Sequence, residues 1–206
     1  MSYKDKSLSI KERVEDLLSQ MTLEEKLQQM HCFGCIYSVD QVLEMFKAGK
    51  NGVDTEFYTF KYSTPEMLNN IQRNCIENTR LGIPAFISTE CVHGAPVPQA
   101  TIFPTNGCLA ATFDLELANR VAHVEGKELK LLGFNRVYSP NVDLLRDGRW
   151  GRCGEDYGED PLLCGLFGAT KVKALQEEGI EATITSPSQR LSATSLTPSR
   201  NSCVNT

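Results

Sequence analysis

Between residues 146 and 160 the chain carries Arg146, Asp147, Arg149, Trp150, Arg152, Glu155, Asp156, Tyr157, Glu159 and Asp160. An aromatic ring set among opposed charges suits sugar recognition, because the ring face meets the apolar side of a pyranose and forked guanidinium donors meet its hydroxyls. Arg146 and Arg149 are expected to pair with Asp143, Asp147, Glu155 or Asp156 and hold the stretch in shape, since charges that leave water need partners. Trp150, the one tryptophan, suits stacking on a sugar face and equally suits plugging the loop. Gly148, Gly151, Gly154 and Gly158 are read as tight-loop glycines, because no Gly-x-Gly-x-x-Gly opens a helix here.

A second group, Glu90 and His93, lies in STECVHG. A metalloprotease helix needs a histidine directly before the glutamate, and Thr89 stands there instead, so His93 is expected to tie loop backbone near Gly94. Of the eight cysteines, only Cys32 and Cys35 have Cys-x-x-Cys spacing, with no second pair and no His-x3-His to complete a zinc site. A helix ending near Met30 precedes that pair, which is the wrong context for a thioredoxin-like motif. Cys75, Cys91, Cys108 and Cys164 are expected to be buried, reduced and apolar in role. No metal and no cofactor is expected.

These groups need a scaffold, and its elements are punctuated. Thr22-Leu-Glu-Glu25 is a capping box, and Ser63-Thr-Pro-Glu66 joins a second box to a proline at the first helical position of a helix running to about Thr79, with Gly82 as its stop. Further helices are predicted from Asp114 to Gly133 and from Asp160-Pro161 to about Gly179. Strands are predicted near Gly52 to Asp54, within Ile83 to Thr89, over Phe134 to Val142, and over Glu181 to Ile184. The loop that opened this section therefore follows a strand end. Alternating β and α elements argue for a parallel sheet, either doubly wound or closed into a barrel, and periodicity does not separate the two.

With 21 basic and 26 acidic residues, a net charge of −5 and no basic stripe, nothing points to a nucleic-acid partner. No run of about 20 apolar residues suggests a membrane span, and the N-terminus has no apolar signal core, so the chain as written reads as cytosolic.

Four ordered blocks carry a family resemblance: VEDLLSQMTLEEKLQQM (Val14 to Met30), LGIPAFISTECVHG (Leu81 to Gly94), ATIFPTNGCLAATFD (Ala100 to Asp114), and LGFNRVYSPNVD running on through RWGR and YGEDP (Leu132 to Pro161). Together they resemble glycoside hydrolase family 3, the β-glucosidase and β-xylosidase family, from about Glu12 to about Ile184. The resemblance implies an α/β fold, a partial (β/α)8 TIM-type barrel of roughly the first half of the units, since 206 residues fall short of the roughly 250 of a full barrel. It also implies retaining, exo-acting hydrolysis of terminal β-linked xylose or glucose. Family nucleophile and acid/base positions lie beyond residue 206, so no catalytic residue is carried over and the chain alone is expected to be inactive. What does carry over is substrate binding: Glu90 matches an acid that accepts sugar hydroxyls after the second strand, Arg152 matches an arginine that reaches the sugar, and Trp150 stands beside it. Glutamate at position 90 resembles the β-xylosidase branch, because a longer side chain fills room left by a missing hydroxymethyl group.

Residues 1–184 thus read as a partial barrel domain, and residues 185–206, rich in Ser and Thr and aperiodic, as a disordered or frameshifted tail. Unpaired strand edges in such a half-barrel would favour aggregation or dimerisation. The alternatives are a non-catalytic sugar-binding or interaction protein on the same half-barrel, and a doubly wound nucleotide-binding domain, which lacks its glycine fingerprint.

Overall fold

Helix starts in this chain are set by side chains that capture the first free N–H groups. In the computed structural model, which describes residues 2–33, 56–58 and 64–185, Ser9 and Glu12 form a reciprocal capping box at the start of α1 (Ile10–Gln20). Thr22 and Glu25 do the same for α2 (Leu23–Gln28), with Glu25 Oε2 accepting from the Thr22 N–H at 2.9 Å. The chain divides into two compact units, Met1–Thr59 with Glu66–Phe86, and Phe60–Pro65 with Ile87–Thr206.

The first unit also holds β1 (Cys32–Phe33) and β2 (Glu56–Tyr58), paired in parallel with Cys32 opposite Glu56. Helix α3 (Pro65–Glu77) buries Met67, Leu68, Ile71 and Cys75, a stripe at helical spacing. Gln72 holds both backbone groups of Ala85, accepting from its N–H at 2.8 Å and donating to its carbonyl at 2.9 Å. The helix ends at Glu77, short of the expected Thr79. Gly82, at φ +63, serves the following turn instead, where an added Cβ would meet the Ile76 carbonyl oxygen at 2.8 Å. Glu25 is 3 % exposed at its side chain and pairs with Arg80, whose hydrogen bonds hold its carboxyl below the usual range.

The second unit repeats strand, helix, strand: β3 (Phe86–Glu90), a short α4 (Asn106–Ala110), α5 (Leu115–Leu132), β4 (Arg136–Tyr138), α6 (Pro161–Glu177) and β5 (Glu181–Ala182). All three strands are parallel, with Glu90 opposite Tyr138 and Val137 opposite Ala182. Their order follows the chain, as in a β/α barrel; a doubly wound sheet reverses direction at its switch point. Asp114 and Asp160 cap α5 and α6, accepting from Leu117 and Leu163 N–H groups at 2.9 and 2.8 Å, and Gly133 closes α5 in the left-handed conformation. Ile87, Leu129, Val137, Val142, Phe167, Leu175 and Ile180 are buried between sheet and helices. Gly168 allows α6 to lie on the β4 exit, since a Cβ there would stand 2.5 Å from Val142 Cγ1.

The strand expected within Ile83 to Thr89 is found at Phe86–Glu90, and those over Phe134 to Val142 and Glu181 to Ile184 shrink to three and two residues. Pairing nevertheless continues beyond the named strands. Val142 N–H donates to Thr185 O at 3.1 Å and Thr185 N–H to Pro140 O at 3.0 Å, so Thr185 is joined to the β4 exit. Cys75, Cys91 and Cys164 are buried as expected, but Cys108 is exposed, its thiol accepting from Thr105 Oγ1 at 3.3 Å; it lies on the outer side of a single short helical turn. Cys35, the Gly52 to Asp54 strand, Ser63 of the second capping box and residues 186–206 lie outside the described residues. Among the described residues, no helix is long and apolar enough to cross a membrane.

Candidate functional site

The chemistry-bearing residues of the second unit gather past the C-terminal ends of β3 and β4. Glu90 ends β3, and the parallel register sets it beside Tyr138 at the end of β4. The chain then turns through Cys91, Val92, His93 and Gly94. Gly94 takes φ +117 and leaves no room for a side chain, a Cβ falling 2.1 Å from the Thr101 carbonyl oxygen. His93 ties the turn to Phe103: its Nδ1 lies 2.8 Å from Phe103 O, and the Phe103 N–H donates to His93 O at 2.8 Å. This is the backbone-tying role expected of it.

From β4 the chain runs through buried Ser139, Asn141, Val142, Asp143 and Leu144 into the charged loop. The loop is closed at its base by Leu145 N–H donating to Gly158 O at 3.0 Å. Inside it, Arg149 forks onto Asp147, with Nε 3.0 Å from Oδ1 and a terminal nitrogen 2.5 Å from Oδ2. Arg152 forks onto Glu155 at 3.0 and 2.6 Å. Asn106 Nδ2 donates to Glu155 O at 2.7 Å and ties the short 3-10 turn Cys153–Glu155 to α4. Trp150 is half-buried, in a turn closed by its N–H on Asp147 O at 3.1 Å and by Cys153 Sγ on its own carbonyl at 2.6 Å.

Two expectations about this loop are corrected. Arg146 is exposed and makes no ion pair among the described residues, because the neighbouring Asp147 is taken by Arg149. Of the four loop glycines, only Gly158 needs to be one, at φ +121; Gly148, Gly151 and Gly154 have ordinary φ and open space where a Cβ would stand.

Electrostatics link the two strand exits. Hydrogen bonds donated to Glu155 raise the Arg152 guanidinium above its usual pKa, and the charges of Glu90 and Asp143 act in the same direction. Arg152 lowers Glu155, assisted by the Asn141 side chain and by His93. Asp156 is 1 % exposed; burial, followed by the Asp143 and Glu155 charges, pushes its carboxyl up to about 6. Ser88 Oγ, Thr89 Oγ1, Ser139 Oγ and both Asp156 carboxyl oxygens are buried without a hydrogen-bond partner among the described residues.

Beneath the β3 exit lies a group that pattern reading passed over. Lys171, on α6, pairs with Glu125 of α5 at 3.0 Å, their side chains 5 % and 1 % exposed. Burial works against the ammonium, but Glu125, Cys91 and Tyr157 together more than offset it and keep the Lys171 pKa above the usual lysine value. The available signal was a lysine in the middle of a helix that is apolar nearly all round, since such a helix is buried. Among the described residues no three His, Cys, Asp or Glu side chains are placed to hold a metal ion.

Residues 22–185 match the glycosyl hydrolase family 3 N-terminal domain. The chain belongs to glycosyl hydrolase family 3. It is 36% identical over 165 residues to the periplasmic β-glucosidase of Salmonella typhimurium, covering 79% of this chain and 20% of that one. To the β-xylosidase/α-L-arabinofuranosidase 1 of Medicago sativa subsp. varia it is 30% identical over 191 residues, covering 84% of this chain and 19% of that one. The crystal structure of the Listeria innocua β-glucosidase in complex with glucose superposes with a TM-score of 0.69 at 29% identity, over 86% of this chain and 26% of that one. This family 3 chain therefore spans about a fifth to a quarter of the length of these relatives. Membership decides between the two sheet arrangements: the second unit is a run of β/α barrel units, and its strand ends are the barrel's C-terminal face.

Proposed function

We propose that this chain forms the sugar-holding part of the barrel of a retaining, exo-acting β-glycosidase, with Glu90 accepting hydroxyls of the terminal sugar, Arg152 donating to them and Trp150 covering a ring face. The observation that carries the reading is the register that sets Glu90 at the end of β3 beside Tyr138 at the end of β4, the strand that leads into the Arg152 loop, at the barrel face where active sites form. Arg152 is exposed and its carboxylate partner Glu155 is local, so the guanidinium can offer outward N–H groups without losing its anchor. Glu90, longer by one methylene than an aspartate, favours terminal xylose over glucose.

Retention requires two carboxyl groups about 5 to 5.5 Å apart. None of the acids in these 206 residues occupies the positions that the family resemblance gives to nucleophile and acid/base, so the reading is binding without turnover by these residues alone. Ligand-observed NMR titration of the 206-residue chain with xylose and with glucose tests it. Saturable, millimolar binding is expected, corresponding to about 4 kcal/mol, with no release of nitrophenol from aryl β-xylosides or β-glucosides. Arg152→Met is expected to weaken xylose binding by about tenfold, the loss of a charge-assisted hydrogen bond. Unchanged affinity in that variant, or turnover by the wild-type chain, contradicts the assignment.

A further inference from the structure

We infer that Lys171 is a positioning residue for the sugar site, clamping the backbone that leaves β3 directly after Glu90. Its ammonium donates to the carbonyl oxygens of Cys91 at 2.8 Å and Val92 at 2.9 Å, and Glu125 Oε2 stands 3.0 Å away as its counter-charge. The two carbonyls belong to the two residues that follow Glu90, so the clamp acts on the segment that sets where the Glu90 carboxylate points. The other restraints on this turn, His93 to Phe103 and Gly94 against Thr101, act further along.

A mere space-filling role does not account for the pair. Two apolar side chains of similar size would fill the volume between α5 and α6 without the desolvation of two charges, and such replacements are often neutral or stabilising. They would, however, leave the carbonyls of Cys91 and Val92 without their ammonium donor. Glu125 serves to keep that donor charged and aimed. The arrangement thus uses a buried cation on α6 to fix the exit of β3, much earlier in the chain.

The inference rests on the reading of Glu90 as a sugar ligand, and the test separates the two. In the 206-residue chain, the double variant Glu125→Met with Lys171→Met removes the charges together. It is expected to melt within a few degrees of the wild type. Amide hydrogen exchange at Cys91, Val92 and His93 should quicken by about tenfold or more, while core amides of α5 and α6 stay protected. The xylose dissociation constant should rise about fivefold or more, as a loosened Glu90 loses part of its orientation. Wild-type exchange across residues 91–93 in the double variant overturns the inference, and so does global acceleration of exchange, which makes the pair a general core element. If exchange quickens locally while xylose affinity is unchanged, the clamp on the strand exit stands but its role in sugar positioning is overturned. If the wild-type chain itself binds no xylose, the sugar reading fails, and the local exchange result alone decides whether Lys171 clamps the exit of β3.

Discussion

Lys171→Met alone is expected to destabilise the chain by roughly 3–5 kcal/mol at neutral pH, the range seen when one partner of a buried ion pair is removed. The cause is Glu125, left 1 % exposed at its side chain without its ammonium partner. Burial already pushes the Glu125 carboxyl above the ordinary range, against the pull of Lys171. Without the lysine the main downward pull is gone, so the carboxyl takes up a proton at higher pH and the penalty shrinks as pH falls. Denaturant titrations of both proteins at pH 5 and pH 8 should therefore show a gap that widens with pH. A gap below about 1 kcal/mol at both values means that Glu125 reaches water and that the pair is not a core feature.

Asp156→Asn is expected to act in the opposite direction, stabilising the chain above pH 6 while leaving it unchanged or slightly weaker at pH 4. The folded-state pKa of Asp156, about 6, lies above its ordinary value of 3.8, so the folded chain holds this proton more tightly than the unfolded chain does. Stability from the protonated group is complete below about 4 and is lost as pH rises through about 6. The loss is at most about 3 kcal/mol, since each tenfold difference in proton affinity between folded and unfolded chain corresponds to about 1.4 kcal/mol. Asparagine cannot ionise and escapes it. Glu25 and Glu155 work the other way: arginine hydrogen bonds lower both, so their stabilisation is present at neutral pH and fades in acid. Only the difference between wild type and variant therefore isolates Asp156. Thermal melts at pH 4 and pH 7.5 measure it, and an equal loss of stability at both values contradicts the account.

Much of the scaffold was legible because its signals are local. Thr22 with Glu25 and Asp160 with Pro161 each fix a helix start, Asp114 and Gly133 fix the two ends of α5, each through groups within a few residues of that end, and all appear as read. The Ser9–Glu12 box is equally local and was passed over. Strand lengths were overestimated because apolar runs such as Phe134 to Val142 continue as buried extended chain after ladder pairing has narrowed to single bridges. Motif reading brought Glu90, Trp150 and Arg152 forward, and local charge pairing in the loop followed from Asp147 and Glu155 lying two and three residues from their arginines. Asp156 and Lys171 could not be found in that way. Which of several neighbouring acids is buried, and where a long side chain on α6 delivers its charge, are settled by packing between elements 46 and 80 residues apart in the chain.

The measurement that bears most directly on the sugar site is backbone and side-chain chemical-shift mapping as xylose is added to the 206-residue chain. The account predicts saturable shifts centred on Glu90, the Trp150 indole, Arg152 Nε and the Asn141 side-chain amide, at sugar concentrations up to about 100 mM. No shifts at those groups, or shifts centred on the apolar patch of Phe113, Leu162 and Leu166 instead, would contradict it.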